Sequence, residues 1–109
     1  MGGGKATDYR ECMNYSLTVR KEAELDIDSA FEYFEKQRLG LGHDFLLCVE
    51  EGFPKIERNP LLYKIIHKDL RCIAVRRFPY RIFYLVQSKQ VIVTAVFHIR
   101  KDPKIWATR

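Results

Sequence analysis

The fold is decided by residues 70–98, which read LRCIAVRRFPYRIFYLVQSKQVIVTAVFH. β-branched and aromatic residues dominate this stretch, and its only breaks are Phe78-Pro79 and Gln87-Ser88-Lys89. The pattern predicts three consecutive strands joined by two tight turns. Apolar residues occupy both alternating sets of positions in the last two strands, so both faces of the sheet are expected to be largely apolar. Since one layer of helices covers only one face, the other needs a cover from the chain itself or from a partner.

The residues before this block predict one strand and one long helix. Residues 14–20 alternate apolar and polar side chains, which is typical of a short strand, and its N-terminal position favours an edge of the sheet. Residues 21–39 change to a helical period and place their apolar side chains in one stripe. The members of this stripe are Ala23, Ile27, Ala30, Phe31 and Phe34.

A second helix is expected to pack antiparallel on the first, because Gly40-Leu41-Gly42 permits a sharp reversal. This helix is predicted to begin at about His43. Gly52 and Pro54 interrupt it, which predicts a kink or an end near Glu51, because proline lacks the amide hydrogen and clashes with the preceding turn. Its apolar stripe comprises Leu46, Val49, Phe53 and Ile56.

The rest of the chain completes an α+β plan. Asn59-Pro60 ends the helical part, and residues 61–68 predict a further, less regular strand. Pro103 is expected to start a last helical turn that Ile105 and Trp106 dock on the sheet. The predicted fold is therefore an N-terminal strand, an antiparallel helix hairpin and a three- to four-stranded antiparallel meander. It forms one domain over residues 14–109.

The first 13 residues carry three consecutive glycines and no periodicity, so they are expected to form a disordered tail without a function of their own. Met13 is an alternative to Met1 as the native start.

Charge is distributed unevenly along the chain. Residues 1–60 hold eight basic and twelve acidic side chains, a net charge of −4, whereas residues 61–109 hold eleven basic and only two acidic ones, a net charge of +9. A strand half this basic favours a polyanion or an acidic protein segment as its partner, with a solubility surface as the alternative.

Other function classes find little support in the sequence. No apolar run approaches the roughly 20 residues of a membrane span, so a cytoplasmic protein without membrane contact is expected. Cys12, Cys48 and Cys72 form no CxxC pair and are expected to be reduced thiols. The three histidines lie far apart without ligand spacing, so neither a metal site nor a cofactor is expected.

Three short strings, in this order and spacing, resemble a known family. They are Asn59-Pro60, the run RRFPYRIFY at residues 76–84, and the run VFHIRKDP at residues 96–103, which ends near Trp106. Over residues 14–106 the chain resembles the RelE/ParE superfamily of toxins from type II toxin–antitoxin modules, and it is more similar to the ParE-like, plasmid-stabilisation branch. The resemblance implies a small α+β toxin neutralised by an acidic, partly disordered antitoxin that folds over it. Members of the RelE branch cleave mRNA in the ribosome, whereas ParE-like members inhibit DNA gyrase.

The resemblance also implies roles for individual residues. Arg81 and Arg100 match arginines of the RelE-like nucleases that could stabilise phosphate charge during RNA cleavage. The position of a C-terminal tyrosine in those enzymes is taken here by Trp106, which can stack but cannot transfer a proton. His98 is the remaining candidate for proton transfer. The alternatives are that His98 bonds to backbone at the strand end, and that the two arginines form surface ion pairs.

A second basic group, interleaved with tyrosines, could hold a nucleic-acid backbone or the acidic antitoxin. Tyr80 and Tyr84 are, by default, expected to be half-buried with hydroxyls that reach solvent. The residues predicted to bind the target or nucleic acid are Lys64, Lys68, Arg71, Arg76, Arg77, Tyr80, Lys101 and Trp106.

Three hypotheses of function follow. The first is a toxin that acts by binding DNA gyrase, without a catalytic centre. The second is a ribosome-dependent mRNA endoribonuclease that uses Arg81, Arg100 and His98. The third is a non-enzymatic nucleic-acid-binding module, which the charge asymmetry alone would allow. A homodimer formed through an uncovered strand edge stays open under each of them.

Overall fold

The computed structural model describes residues 15–108, so the predicted tail at residues 1–13 lies outside the described residues. The chain forms an α+β fold, as predicted. In chain order its elements are β1 (Ser16–Val19), α1 (Lys21–Gln37), α2 (Leu41–Arg58), β2 (Ile65–His67), β3 (Leu70–Ala74), β4 (Tyr80–Gln87), β5 (Gln90–His98) and α3 (Pro103–Ala107).

The strands form a five-stranded sheet in the order β1-β5-β4-β3-β2. Strands β2 to β5 make the predicted antiparallel meander, and β1 lies at an edge, as expected, where it pairs parallel with β5. Thr94 is an extra residue in β5, because Phe83 pairs with Ala95 and Tyr84 already pairs with Val93. This bulge resets the alternation of side chains, so Val93 and Val96 both pack in the core under the helices.

The two long helices cover one face of the sheet, called here the helix side. Four members of the predicted apolar stripe of α1 are buried, namely Ala23, Ile27, Ala30 and Phe34, whereas Phe31 is half-buried. Together with α2 these residues enclose the main core, to which the sheet contributes Ile73, Ile82, Tyr84, Val91, Val93 and Val96. The apolar side chains that recur with a helical period in the first half of the chain therefore pack against those that recur every two residues in the second half, in one apolar layer.

Of the two alternatives predicted near Glu51, a kink or an end of the second helix, the end is wrong, because α2 continues through Pro54 to Arg58. Pro54 lies on the exposed side of the helix, where the carbonyl group left without its amide partner can bond to water. Beyond it, Ile56 is fully buried and holds the last turn against the core. Gly52 marks the close approach of α2 to the sheet, since a Cβ atom there would lie 2.8 Å from Cδ1 of Ile82.

The strand predicted over residues 61–68 is limited to Ile65–His67. The segment before it makes tertiary hydrogen bonds instead of a ladder. Tyr84 donates its hydroxyl to the carbonyl oxygen of Pro60 at 2.6 Å, and Arg71 donates Nη1 to the carbonyl oxygen of Tyr63 at 2.6 Å. These two side chains of neighbouring strands hold the connection from α2 to β2 in an irregular path.

The opposite face of the sheet, called here the open face, carries a second cluster of buried residues: Leu70, Phe83, Ala95 and Phe97. Part of its cover comes from the chain itself, as α3 brings Trp106 onto Phe83 with ring centroids 5.1 Å apart and planes 21° from parallel. Ile105, also expected to dock, is 42% exposed instead. No helix within residues 15–108 is long and apolar enough to cross a membrane.

Candidate functional site: the open face of the sheet

Arg81 lies on the open face with its side chain exposed. It is directly opposite Phe97 of β5 and Ala74 of β3 in the register of the sheet, so these three side chains share one face. Phe97 belongs to the apolar cluster under Trp106, which places the Arg81 guanidinium beside that cluster. Within residues 15–108 Arg81 forms no ion pair, which leaves its charge available to a partner.

Lys64 contributes a second positive charge to the same face. Both Lys64 and Arg81 are close enough to Cys72 to act on its thiol electrostatically. Burial raises the pKa of the Cys72 thiol and outweighs these two charges, which act in the opposite direction. Cys72 is therefore a neutral, half-buried residue between two exposed cations.

The turn after β5 adds further positive charge at this end of the sheet. The Lys101 ammonium lies 5.3 Å from the centroid of the Phe97 ring, a cation–π contact, and Arg100 is exposed in the same turn. Trp106 is stacked on Phe83, so its ring face is already in contact within the fold. The open face thus joins an apolar centre to a rim of lysine and arginine.

His98 does not share this face with Arg81. It pairs with Tyr80, and the two rings are 5.4 Å apart between centroids. Tyr80 in turn contacts Phe34 and Phe45 of the helices, so His98 points to the helix side. The Nδ1 atom of His98 accepts a hydrogen bond from the backbone N–H of Arg100 at 3.0 Å, which is the backbone role considered as the alternative to proton transfer.

The second basic group does not form one patch. Arg71 is the second residue of β3, and Arg76 lies two residues beyond the end of β3. Along an extended strand they are about 15 Å apart. Arg71 is engaged by the carbonyl oxygens of Leu61 and Tyr63, and Arg76 makes a bidentate pair with Glu51, both N···O distances being 2.8 Å. The hydrogen bond from Arg76 lowers the pKa of Glu51 and raises the pKa of Arg76.

Two members of that group lie in turns with left-handed backbone. Lys68 has φ of 50° between β2 and β3, and Arg77 has φ of 73° between β3 and β4. The Arg77 guanidinium lies 6.0 Å from the centroid of the Phe78 ring. Both side chains are exposed, but they lie at different ends of β3.

The prediction that the Tyr84 hydroxyl reaches solvent is wrong. Its side chain is fully buried and its hydroxyl is bonded to Pro60, so it does not reach solvent. Burial raises the pKa of Tyr84 to about 12. Tyr80 is half-buried as expected, and burial also raises the pKa of its hydroxyl.

Two acidic side chains of α1 are bonded to backbone amides. Asp26 accepts the N–H of Val96 at 3.1 Å, where β5 extends beyond its pairing with β1. Glu35 accepts the N–H groups of Gly40 and Gly42, each at 2.9 Å. The Gly40 bond is the main cause of the lowered pKa of Glu35, and burial opposes it. Neither contact has a signal in the helical period, because both depend on the tertiary arrangement.

Comparison with known proteins places this fold among toxin–antitoxin proteins. A chain of the chromosomal ParDE toxin–antitoxin system from P. aeruginosa superposes with a TM-score of 0.71 at 12% identity, over 79% of this chain and 97% of that chain. A chain of the RelBE2 toxin–antitoxin complex from Mycobacterium tuberculosis superposes with a TM-score of 0.52 at 21% identity, over 78% of this chain and 98% of that chain. At these identities the likeness concerns the fold.

The family follows from the sequence match. Residues 17–103 match the family model described as the ParE toxin of the type II toxin–antitoxin system parDE. The chain therefore belongs to the ParE toxin family of type II toxin–antitoxin systems, within the RelE/ParE superfamily, as the motifs predicted. No curated protein matches it significantly.

Proposed function

We propose that this toxin acts by binding its target, DNA gyrase, without a catalytic step, and that an acidic antitoxin neutralises it. The observation that carries the first part is the separation of Arg81 from His98. Arg81 projects from the open face, whereas His98 projects to the helix side and uses Nδ1 to accept a backbone hydrogen bond.

Metal-independent RNA cleavage needs a proton acceptor close to the 2′-hydroxyl and a fixed positive charge close to the same phosphate. On the open face Arg81 supplies the charge, but the residues beside it in the register are Phe97 and Ala74. Trp106 has no proton to transfer to an oxygen at neutral pH and is stacked on Phe83. The face is better suited to binding than to acid–base chemistry.

The open face also fits the proposed antitoxin. A segment with apolar anchors could extend the cluster of Phe83 and Phe97, while its carboxylates approach Arg81, Lys64 and Lys101. The structural neighbours from P. aeruginosa and Mycobacterium tuberculosis belong to toxin–antitoxin systems, which supports such a partner.

Two assays with the purified protein test the proposed target. DNA gyrase should lose its supercoiling activity, while mRNA on translating ribosomes should stay intact. Codon-spaced cuts in translated message would instead establish the mRNA endoribonuclease. Tight binding to nucleic acid alone, with no effect in either assay, would identify the third hypothesis, a nucleic-acid-binding module.

A further inference from the structure

A recess lies between α1 and the last residues of β5, on the helix side of the sheet. Its volume is about 230 Å³. The polar side chains that line it come from separate elements: Asp26 and Ser29 of α1, Tyr80 of β4, His98 of β5, and Lys101 of the turn that follows. We call it the α1–β5 recess.

The wall that β5 contributes to the recess offers hydrogen-bond acceptors. β1 pairs with β5 as far as Val93, and within residues 15–108 it is α1 that lies beside the following residues of β5. There the Asp26 carboxylate accepts the N–H of Val96 at 3.1 Å. Since the N–H and C=O groups of one strand residue point to the same side, the Val96 carbonyl oxygen also faces α1. Carboxylate and carbonyl oxygens each accept more than one hydrogen bond, so both groups can receive a donor from a ligand.

The recess also carries donors for an anionic group. The Nδ1 atom of His98 accepts the N–H of Arg100 at 3.0 Å, so the proton of the neutral ring is on Nε2, which donates. Burial raises the pKa of Tyr80, so its hydroxyl keeps its proton at neutral pH and can donate as well. Lys101 adds a positive charge that forms no ion pair within residues 15–108.

The same hydrogen bond opposes a catalytic use of this set. In a pair of serine and histidine that acts as a nucleophile, the imidazole must accept the proton of the hydroxyl. With Nδ1 occupied and Nε2 protonated, the His98 ring is not able to act as a base for Ser29. The recess is therefore suited to binding.

We infer that the α1–β5 recess binds a small zwitterion of the chemical class of the free amino acids. The ammonium group of the ligand bonds to Asp26 and to the carbonyl oxygen of Val96. Its carboxylate bonds to His98, Tyr80 and Lys101. A volume of about 230 Å³ is below the roughly 300 Å³ at which ordinary ligand pockets begin, so the ligand is small.

The charges of the lining favour a zwitterion over a simple ion. An anion would meet the Asp26 carboxylate and a cation would meet the Lys101 ammonium, whereas a zwitterion pairs with both. The inference goes beyond the proposed function, because the recess does not use Arg81 or Trp106 of the open face. It stands whether or not DNA gyrase is the target.

Free and modified amino acids test this inference directly. Thermal unfolding of the full chain is measured with each standard amino acid at about 10 mM, and titration calorimetry gives the affinity of the one that stabilises most. At about ten times its Kd, that amino acid should raise the midpoint of unfolding by several degrees. Its N-acetyl form lacks the ammonium group and its methyl ester lacks the carboxylate, so each should bind about tenfold more weakly or worse.

Conservative variants localise the ligand. Asp26→Asn removes the charge but keeps an acceptor for the N–H of Val96, and Tyr80→Phe removes only the hydroxyl, so each should bind about tenfold more weakly. The matched controls are Asp28→Asn on the same helix and Tyr63→Phe, whose side chains do not line the recess and which should bind like wild type. Thermal melts without ligand establish that all four variants are folded.

Any of the following results would overturn the inference. Absence of saturable binding by every standard amino acid would leave the recess without a zwitterionic ligand. Equal binding of the N-acetyl form or of the methyl ester would show that only one of the two charges is recognised. Equal binding by wild type, Asp26→Asn and Tyr80→Phe would place the ligand outside the recess.

Discussion

Tyr84 shows how one buried polar atom organises a region of this toxin. Its ring lies in the main core, and its hydroxyl donates to the carbonyl oxygen of Pro60, 24 positions earlier, at 2.6 Å. The bond satisfies a buried donor and also fixes the connection between α2 and β2. From the alternating pattern of the strand, Tyr84 is expected to be half-buried with its hydroxyl in solvent. The sequence therefore did not predict this hydrogen bond.

Tyr84→Phe should lower the free energy of unfolding by about 1–2 kcal/mol, because the Pro60 carbonyl oxygen loses a donor while the ring stays packed. Urea denaturation at neutral pH measures the change. Tyr33→Phe is the matched control, since Tyr33 is 57% exposed and should leave stability unaltered. Equal stability of wild type and Tyr84→Phe would show that the bond contributes nothing.

The same residue predicts a pH dependence. Its pKa is about 12 in the folded protein and 10.0 in an exposed tyrosine, so the folded state holds the proton more tightly. The stability that this contributes is complete below pH 10 and is lost as the pH rises through 12. Wild type should therefore lose its advantage over Tyr84→Phe in alkaline buffer, as measured by urea denaturation at pH 9 and 11.5. An advantage that stays constant would contradict the assignment.

Arg81 is the subject of the third prediction at the scale of residues. Arg81→Ala should weaken growth arrest in bacteria, because it removes a positive charge that forms no ion pair within residues 15–108 and lies beside the apolar cluster of the open face. Lys36→Ala, at an exposed position of α1 on the other layer, is the matched control and should arrest growth like wild type. The comparison is made at equal expression. Undiminished growth arrest by Arg81→Ala would show that Arg81 does not take part in binding the target.

At the scale of elements, the helix hairpin depends on a contact that periodicity did not reveal. Gly40 has φ of 90°, a left-handed conformation that suits glycine and produces the predicted reversal. Glu35 then accepts the N–H groups of Gly40 and Gly42, which lie where α2 begins. A Cβ atom at Gly42 would come within 2.6 Å of the carbonyl oxygen of Phe31, so the same glycine also permits the close approach of the helices.

The short helix α3 determines how much of the open face is covered. It begins with Pro103 at its N-terminus, and the Asp102 carboxylate caps it by accepting the N–H of Lys104 at 2.9 Å. Trp106 is the residue that attaches it to the sheet. Five residues are too few for a stable isolated helix, so this tertiary contact maintains it.

Trp106→Ala should therefore release α3 and expose Phe83. The expected loss is about 1–3 kcal/mol, less than for a fully buried tryptophan, because Trp106 is only half-buried. Urea denaturation gives the loss, and increased binding of a hydrophobic dye reports the exposed face. Ile105→Ala is the control on the same helix and should change little, since Ile105 is 42% exposed. Unchanged stability and dye binding would mean that Trp106 does not cover the sheet.

At the scale of the whole molecule, the two layers differ in charge. The helix-bearing first 60 residues have a net charge of −4 and the strand-bearing remainder has +9. In the function proposed above, the basic open face binds the acidic antitoxin. Opposite charges accelerate encounter more than they slow dissociation.

The association rate of toxin and antitoxin should accordingly fall as salt is raised. The dissociation rate should change less, because salt screens the charges and leaves the apolar contacts of the complex in place. Surface plasmon resonance over a series of salt concentrations measures both rates. The control is Arg81→Ala, which should associate more slowly than wild type at low salt and approach it at high salt. An association rate that is independent of salt would contradict the electrostatic part of the proposal.

The sequence by itself determined the elements, their order, the family and the uneven charge, because periodicity, turn residues and motifs act over short distances along the chain. Only the tertiary structure decided which side chains meet. It separated Arg81 from His98, assigned Arg71 to the carbonyl oxygens of Leu61 and Tyr63, carried α2 past Pro54 and buried the Tyr84 hydroxyl. These outcomes depend on the bulge, the register and the docking of the helices, in which residues distant in sequence compete for the same contacts.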